Sequence, residues 1–274
     1  MDKFLNKNNI NLDKISIDNL LIYKNANPFP HVCFDNFFSE EILNQILVHW
    51  PDTSDTKKFS SRDGKNEKKL ASSNPLLFET IPILNEFLNF LNSYKFINFL
   101  QKLTGIEEIL IPDPYFLGGG LHEIKKGGFL KIHSDFNFHP QMKLSRRLNL
   151  LLYLNKDWQE DYGGHIEFWD RSMKECGKKF LPIFNRMVIF STTHSSFHGH
   201  PEPLNCPETR SRKSIALYYY SNGRPKNEVH KDLDNQFRTT MWKGRRDNFK
   251  EVSNSMPIYK KIFGKIYYKT KIKN

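Results

Sequence analysis

Cysteine is scarce in this chain: three among 274 residues, Cys33, Cys176 and Cys206. They stand far apart in no zinc-type spacing, and an odd number makes a poor disulfide framework. Long apolar runs are missing as well. No stretch approaches the roughly 18 residues of a membrane span. The opening Met1-Asp2-Lys3-Phe4-Leu5-Asn6-Lys7 lacks the apolar core of a signal peptide. A reducing cytoplasm is the expected compartment. Acidic residues are in the minority, and the net charge is +11. A basic protein can attract nucleic acid or an acidic ligand. Here Lys and Arg are dispersed rather than gathered on one segment, and no nucleic-acid motif stands out, which argues against nucleic acid. Nor is there an internal repeat.

What the chain has in quantity is aromatic side chains. They make up 14% of it, and Phe alone contributes 23 residues, which suits a β-rich globular core. The length allows one large domain or two small ones. Residues 1–28 are polar and rich in Asn and Lys, and read as a loosely ordered lead-in. A short strand entered through Pro28 and Pro30 follows. Ser39 then reads as an N-cap, with Glu40 and Glu41 in the first turn of a helix that Pro51 stops. Residues 52–75 form a polar, charged loop with six basic residues. It is either a solvated surface or a cover that attracts an acidic substrate. Helical spacing returns over 81–105, ending at Gly105.

From residue 110 the pattern changes to short strands between Gly, Pro and Asn turns, at 113–124, 128–134, 147–154, 164–169, 179–183, 186–191 and 212–220. Helices first and strands later predict an α+β fold, with helices backing one sheet of a sandwich or barrel. The run Leu148 to Leu154 places four leucines on one face and Asn149, Leu151 and Tyr153 on the other. The tail, 256–274, alternates apolar and basic residues at helical spacing and is expected to pack on its own domain.

His133-Ser134-Asp135 puts an imidazole and a carboxylate two residues apart, on one side of an extended segment. A second imidazole could come from His194, His198 or His200. Two histidines and one carboxylate form the facial triad that holds Fe(II) with open positions. His165 and Glu167 share the same spacing, but read as a solvent-facing pair beside a glycine turn. Arg212, at the head of a strand-like run with Ser214, suits the distal carboxylate of a 2-oxo acid, since Arg grips carboxylates bidentately.

Six segments stand in a telling order: HSD (133–135), YLNKDW (153–158), GGHIEFWD (163–170), PIFNRMVIF (182–190), FHG (197–199) and RKSIALYYY (212–220). Together they resemble the prolyl 4-hydroxylase-like branch of the 2-oxoglutarate/Fe(II) oxygenase superfamily. The resemblance implies that His133, Asp135 and His198 are the metal ligands and catalytic centre. It implies that Arg212 binds the C5 carboxylate of 2-oxoglutarate, helped by Ser214 and Tyr153. His200, ahead of Pro201, is left a supporting or substrate-facing place, and His194 a turn. Two departures stand out. The interval from His198 to Arg212 is longer than is common, through an insert at 201–208. The basic residue is Arg where many prolyl 4-hydroxylases use Lys, which weakens the prolyl assignment more than the oxygenase one.

The implied fold is a double-stranded β-helix, a cupin-like jelly roll, backed by N-terminal helices. Residues 1–112 would be a mostly helical support, 113–222 the oxygenase core, and 223–274 a basic extension on the same domain. The implied activity is a dioxygenase that hydroxylates an unactivated C–H bond, using Fe(II), 2-oxoglutarate as cosubstrate and O2, with ascorbate as reductant. Peptidyl proline, a sugar and a small acidic metabolite all remain open as substrate. The other readings are a non-catalytic cupin-like binding module and an oxygenase acting on nucleic acid.

Overall fold

The computed structural model describes residues 3–229 and 238–242. Five helices come before most of the strands: α1 (Leu12–Lys24), α2 (Glu40–Val48), α3 (Pro75–Glu79), α4 (Pro82–Leu91) and α5 (Tyr94–Thr104). Between them lie β1 (His31–Asp35), β2 (Ser60–Asp63) and β3 (Glu67–Ser72). Then follow β4 (Ile111–Pro112), β5 (Gly120–Lys125), β6 (Phe129–Ser134), β7 (Phe138–His139), β8 (Leu144–Tyr153) and β9 (Ile166–Trp169). The last are β10 (Cys176–Phe180), β11 (Arg186–Ser191), β12 (Phe197–His200), β13 (Ser211–Ser221) and β14 (Met241–Trp242). The expected tail helix at 256–274 lies outside the described residues.

The strands run in the order β1-β11-β8-β13-β5-β3-β6-β12-β9-β10, with every pairing antiparallel. This sheet is curled. Phe168 on β9 and Phe190 on β11 are far apart in strand order, yet their rings lie 5.0 Å apart. The two ends of the sheet thus face each other across Phe29, Tyr153, Ile166, Phe168, Val188 and Phe190. This is the α+β double-stranded β-helix expected.

The outer face of the β8 half is capped by the helices. Leu148, Leu150, Leu152 and Leu154 join Leu84, Phe87, Phe96, Phe99 and Leu103 in one buried cluster. Each such side chain contributes about 1.5–3 kcal/mol by leaving water. The stretch 81–105 is two helices rather than one. Ser93 accepts a hydrogen bond from the Phe96 amide and restarts the chain as α5, which ends at Gly105 with φ of +67°. Gly tolerates that left-handed turn because it has no Cβ.

Two expectations need correction. Residues 12–24 are helical, not a loose lead-in. Asn11 caps α1 by accepting from the Lys14 amide, and buried Tyr23 reaches Ser191 at 2.8 Å. Leu12, Ser16 and Tyr23 are its buried residues, so its apolar stripe is too thin to read from the sequence. The segment 52–75 is not a loop either. It contains the hairpin β2–β3, and β3 inserts between β5 and β6. Its buried positions include Lys69 and Ser72, which hides the alternation. The N-terminal region is therefore not purely helical, since β1 and β3 are built into the same sheet.

Gly120 is what lets β3 lie against β5. It has φ of +84°, and a Cβ there would stand 2.1 Å from the Ser72 carbonyl oxygen. Gly120→Ala should therefore destabilise the protein by more than the roughly 1–3 kcal/mol of a strained backbone alone. Urea unfolding measures this; a loss under about 1 kcal/mol would mean that β3 is not seated as described.

Candidate metal and oxo-acid site

His133 lies near the end of β6, and Asp135 sits just past it. His198 on β12 is the direct antiparallel partner of His133, which brings the two imidazoles together. Their ring centroids are 4.5 Å apart. Each ring is oriented by its own strand. His133 Nδ1 is 2.8 Å from the Lys131 carbonyl, and His198 Nδ1 is 2.9 Å from the Ser196 carbonyl. A carbonyl oxygen carries no proton, so Nδ1 donates in both cases. This leaves both Nε2 lone pairs free to bind a metal, the usual use of such a bond behind a ligand histidine. The Nε2 atoms lie 3.5 and 3.4 Å from the two Asp135 carboxylate oxygens. One ligand atom from each of His133, Asp135 and His198 falls within 4.8 Å of the others. Burial, and then neighbouring His198, lowers the pKa of His133, favouring the neutral ring a metal needs.

The Asp135 carboxylate is gripped from behind. Asn149 donates to it at 2.7 Å, and the Arg146 guanidinium lies 3.0 Å away. Arg146 also donates to Asn149 Oδ1 at 3.0 and 2.7 Å. Its flat head stacks on Tyr218 at 3.4 Å and Phe136 at 4.4 Å, a geometry that attracts a cation to the ring faces. Burial raises the Asp135 pKa, but the charge of the Arg146 guanidinium beside it outweighs that. The group is held well below the usual carboxylate range.

Arg212 is 4% exposed on β13. Its Nε donates to the Gly164 carbonyl at 2.8 Å, and Nη2 to the Tyr153 hydroxyl at 3.3 Å. Among the described residues no carboxylate pairs with it. Gly164 makes room for it, since a Cβ there would lie 3.0 Å from Arg212 Cδ and 2.6 Å from Leu204 Cδ2. Ser214 pairs in register with Tyr153 of β8 and His122 of β5, and is buried. The neighbouring cations are engaged elsewhere: Lys213 with Ser211 and Glu123, and Arg210 with the Lys156 carbonyl.

His165 and Glu167 do not join the site. His165 meets Glu160 at 2.9 Å, and Glu167 accepts from the Trp169 indole at 2.9 Å. His194 lies in the turn before β12. Sequence reasoning missed Arg146 and Trp242. Alternation puts Arg146 on the leucine face. However, the β8–β13 register shifts between Tyr219 and Tyr220, which face Leu148 and Arg146. The residue skipped on β8 reverses the alternation and turns Arg146 inward. Trp242 arrives from the far end of the chain on β14, which pairs with β6, and its ring lies 4.8 Å from that of His133. No local signal marks it.

The family model of the 2OG-Fe(II) oxygenase superfamily matches residues 119–220, which span every one of these site residues but Trp242. Over those residues, 102 of the chain's 274, the chain is similar to that superfamily. Its resemblance runs to the prolyl 4-hydroxylase-like branch. Mouse prolyl 3-hydroxylase OGFOD1 is 34% identical over 86 residues, 30% of this chain and 15% of that protein. Prolyl 3,4-dihydroxylase OGFOD1 of Ostreococcus tauri is 24% identical over 217 residues, 73% of this chain and 39% of that protein. The chain thus spans well under half the length of these curated relatives. A prolyl hydroxylase from Trichoplax adhaerens, solved with a peptide fragment of hypoxia inducible factor, shares the fold. Its TM-score is 0.53 at 18% identity, covering 77% of this chain and 90% of that one. The superfamily uses Fe(II), 2-oxoglutarate and O2, and the donor set found here fits them.

Arg146→Met keeps the volume but leaves Asp135 buried without its countercharge. The metal-free variant should lose about 3–5 kcal/mol of unfolding free energy. Loading Mn(II) should restore much of it, because the cation takes over as countercharge. Urea unfolding with and without Mn(II) decides the point; a loss that metal does not relieve would place the role of Arg146 elsewhere.

Proposed function

We propose that this chain is a 2-oxoglutarate- and Fe(II)-dependent dioxygenase that hydroxylates an unactivated C–H bond. His133, Asp135 and His198 would hold Fe(II), and Arg212 the C5 carboxylate of 2-oxoglutarate, with Tyr153 and Ser214 beside it. One observation carries this reading. Three ligand atoms converge at one end of a curled sheet whose interior also holds a buried arginine that no carboxylate of the described residues neutralises.

When bound, Fe(II) and 2-oxoglutarate supply the oxidising chemistry. The protein supplies placement. Two imidazoles and one carboxylate would leave the remaining coordination positions of the metal open, as a three-ligand site must. Arg212 and the Tyr153 hydroxyl would hold the distal carboxylate of the cosubstrate. Phe190, 4.7 Å from the His198 ring, and Phe168 keep water from that side. The Trp242 ring, tilted by 39° to that of His133 and 4.8 Å from it, covers another side. The core of this activity would run over residues 113–222, with β1, β3 and the helices of 1–112 in support.

Among substrate classes, a peptidyl proline is favoured. The curated relatives matched here are named as prolyl hydroxylases, and the Trichoplax neighbour holds a peptide. A sugar or small acidic metabolite has no comparable support.

The test is succinate release from 2-oxoglutarate by purified protein with Fe(II) and ascorbate, against a panel of proline-containing peptides. Asp135→Ala removes the anionic ligand, and His198→Ala one of the two imidazoles. Either should abolish turnover and most iron binding. Normal turnover in Asp135→Ala would sink the assignment. Arg212→Ala should leave iron binding nearly intact while raising the 2-oxoglutarate requirement by about two orders of magnitude or more, the effect of a buried ion pair losing one partner. Unchanged 2-oxoglutarate dependence in that variant would move the anchor to another cation.

A further inference from the structure

We propose that His200 is a further cosubstrate-binding residue: its ring N–H donates to the distal carboxylate of the bound 2-oxo acid, next to Arg212. The inference rests on the oxygenase reading above. It starts from a hydrogen-bonding anomaly. His200 is 2% exposed, and neither Nδ1 nor Nε2 has a hydrogen-bond partner among the described residues. Buried polar groups are nearly always paired, and an unpaired one calls for a reason.

The anomaly is local. His31, His133 and His198 each bond through Nδ1 to the carbonyl two residues earlier, at 2.8, 2.8 and 2.9 Å. His200 stands two residues beyond His198 on the same strand and makes no such bond. The β12–β6 register shifts between His198 and His200, where Gly199 passes so close to β6 that a Cβ would lie 2.7 Å from the Leu130 carbonyl oxygen. The shift frees the ring from its own backbone.

What faces that ring decides the kind of ligand. Arg212 is the charged group that acts on it most strongly, followed by Lys69 and His133. Arg212 and Lys69 are donors without acceptor capacity, and Nδ1 of His133 is already committed to the Lys131 carbonyl. An imidazole carries at least one N–H in either protonation state. No described residue offers either ring nitrogen an acceptor, so that acceptor is assigned to a bound molecule. An anionic carboxylate lying against Arg212 supplies that acceptor, and a charge-assisted bond to it is among the stronger kinds. His200 needs no change of charge for this role.

The experiment compares two ligands of the Mn(II)-loaded protein by calorimetry. 2-Oxoglutarate and 2-oxopentanoate share the chelating end and chain length, and differ in that the second ends in a methyl group. His200→Phe should raise the Kd of 2-oxoglutarate about tenfold or more and shift that of 2-oxopentanoate by less than about twofold. His200→Gln keeps a donor N–H and should hold 2-oxoglutarate within about threefold of wild type, which also covers a misfolded Phe variant. Mn(II) affinity should stay unchanged in both. Equal loss on the two ligands, or no loss on either, overturns the assignment to the distal carboxylate. Wild-type protein that binds Mn(II) but not 2-oxoglutarate overturns the oxygenase reading itself, and this inference with it.

Discussion

The site and the core depend on one strand having two unlike faces. β8 must bury leucines against the helices and, on its other side, present polar groups to the inside of the curled sheet. Leu148, Leu150, Leu152 and Leu154 anchor it outward. Asn149 and Tyr153 point inward, one to Asp135 and the other to Arg212. A shift of β8 by one residue would expose the leucines and withdraw both polar contacts at once. The apolar packing of the helical layer thus holds the site in register.

The inside of the sheet is a place where charge is costly, and its charges are handled in two ways. Asp135 is paired within the protein, with Arg146, which is itself stacked between two aromatic rings. Among the described residues Arg212 has neutral partners only, a carbonyl and a phenol. The first arrangement fixes a carboxylate where a metal can use it. The second leaves a buried cation with no carboxylate partner among the described residues, and the buried His200 ring has no hydrogen-bond partner among them either. Burial of this kind is destabilising on its own, and a bound anion would offset it.

The candidate metal ligands were legible in part because extended chain alternates sides with a period of two. That rule places His133 with Asp135, and it separates the two faces of β8. The choice of His198 over His200 needed the resemblance, since periodicity puts both on one face. The structure adds the reason: His198 is the pairing partner of His133, and the register shifts before His200. Helix α1 escaped notice because its buried stripe is thin, and β3 because the strand buries a lysine and a serine.

Local pattern in the sequence was enough to determine the α+β class, the leucine face, the HxD pair and the candidate anchor Arg212, because each depends on residues a few positions apart. Tertiary structure alone decided the rest. Arg146 turns inward because a register shift against β13 reverses the alternation of β8. β3 enters the sheet because Gly120 allows a close backbone approach. Trp242 reaches His133 because a distant segment pairs with β6. These are contacts between strands far apart in the chain, and no spacing within one segment encodes them.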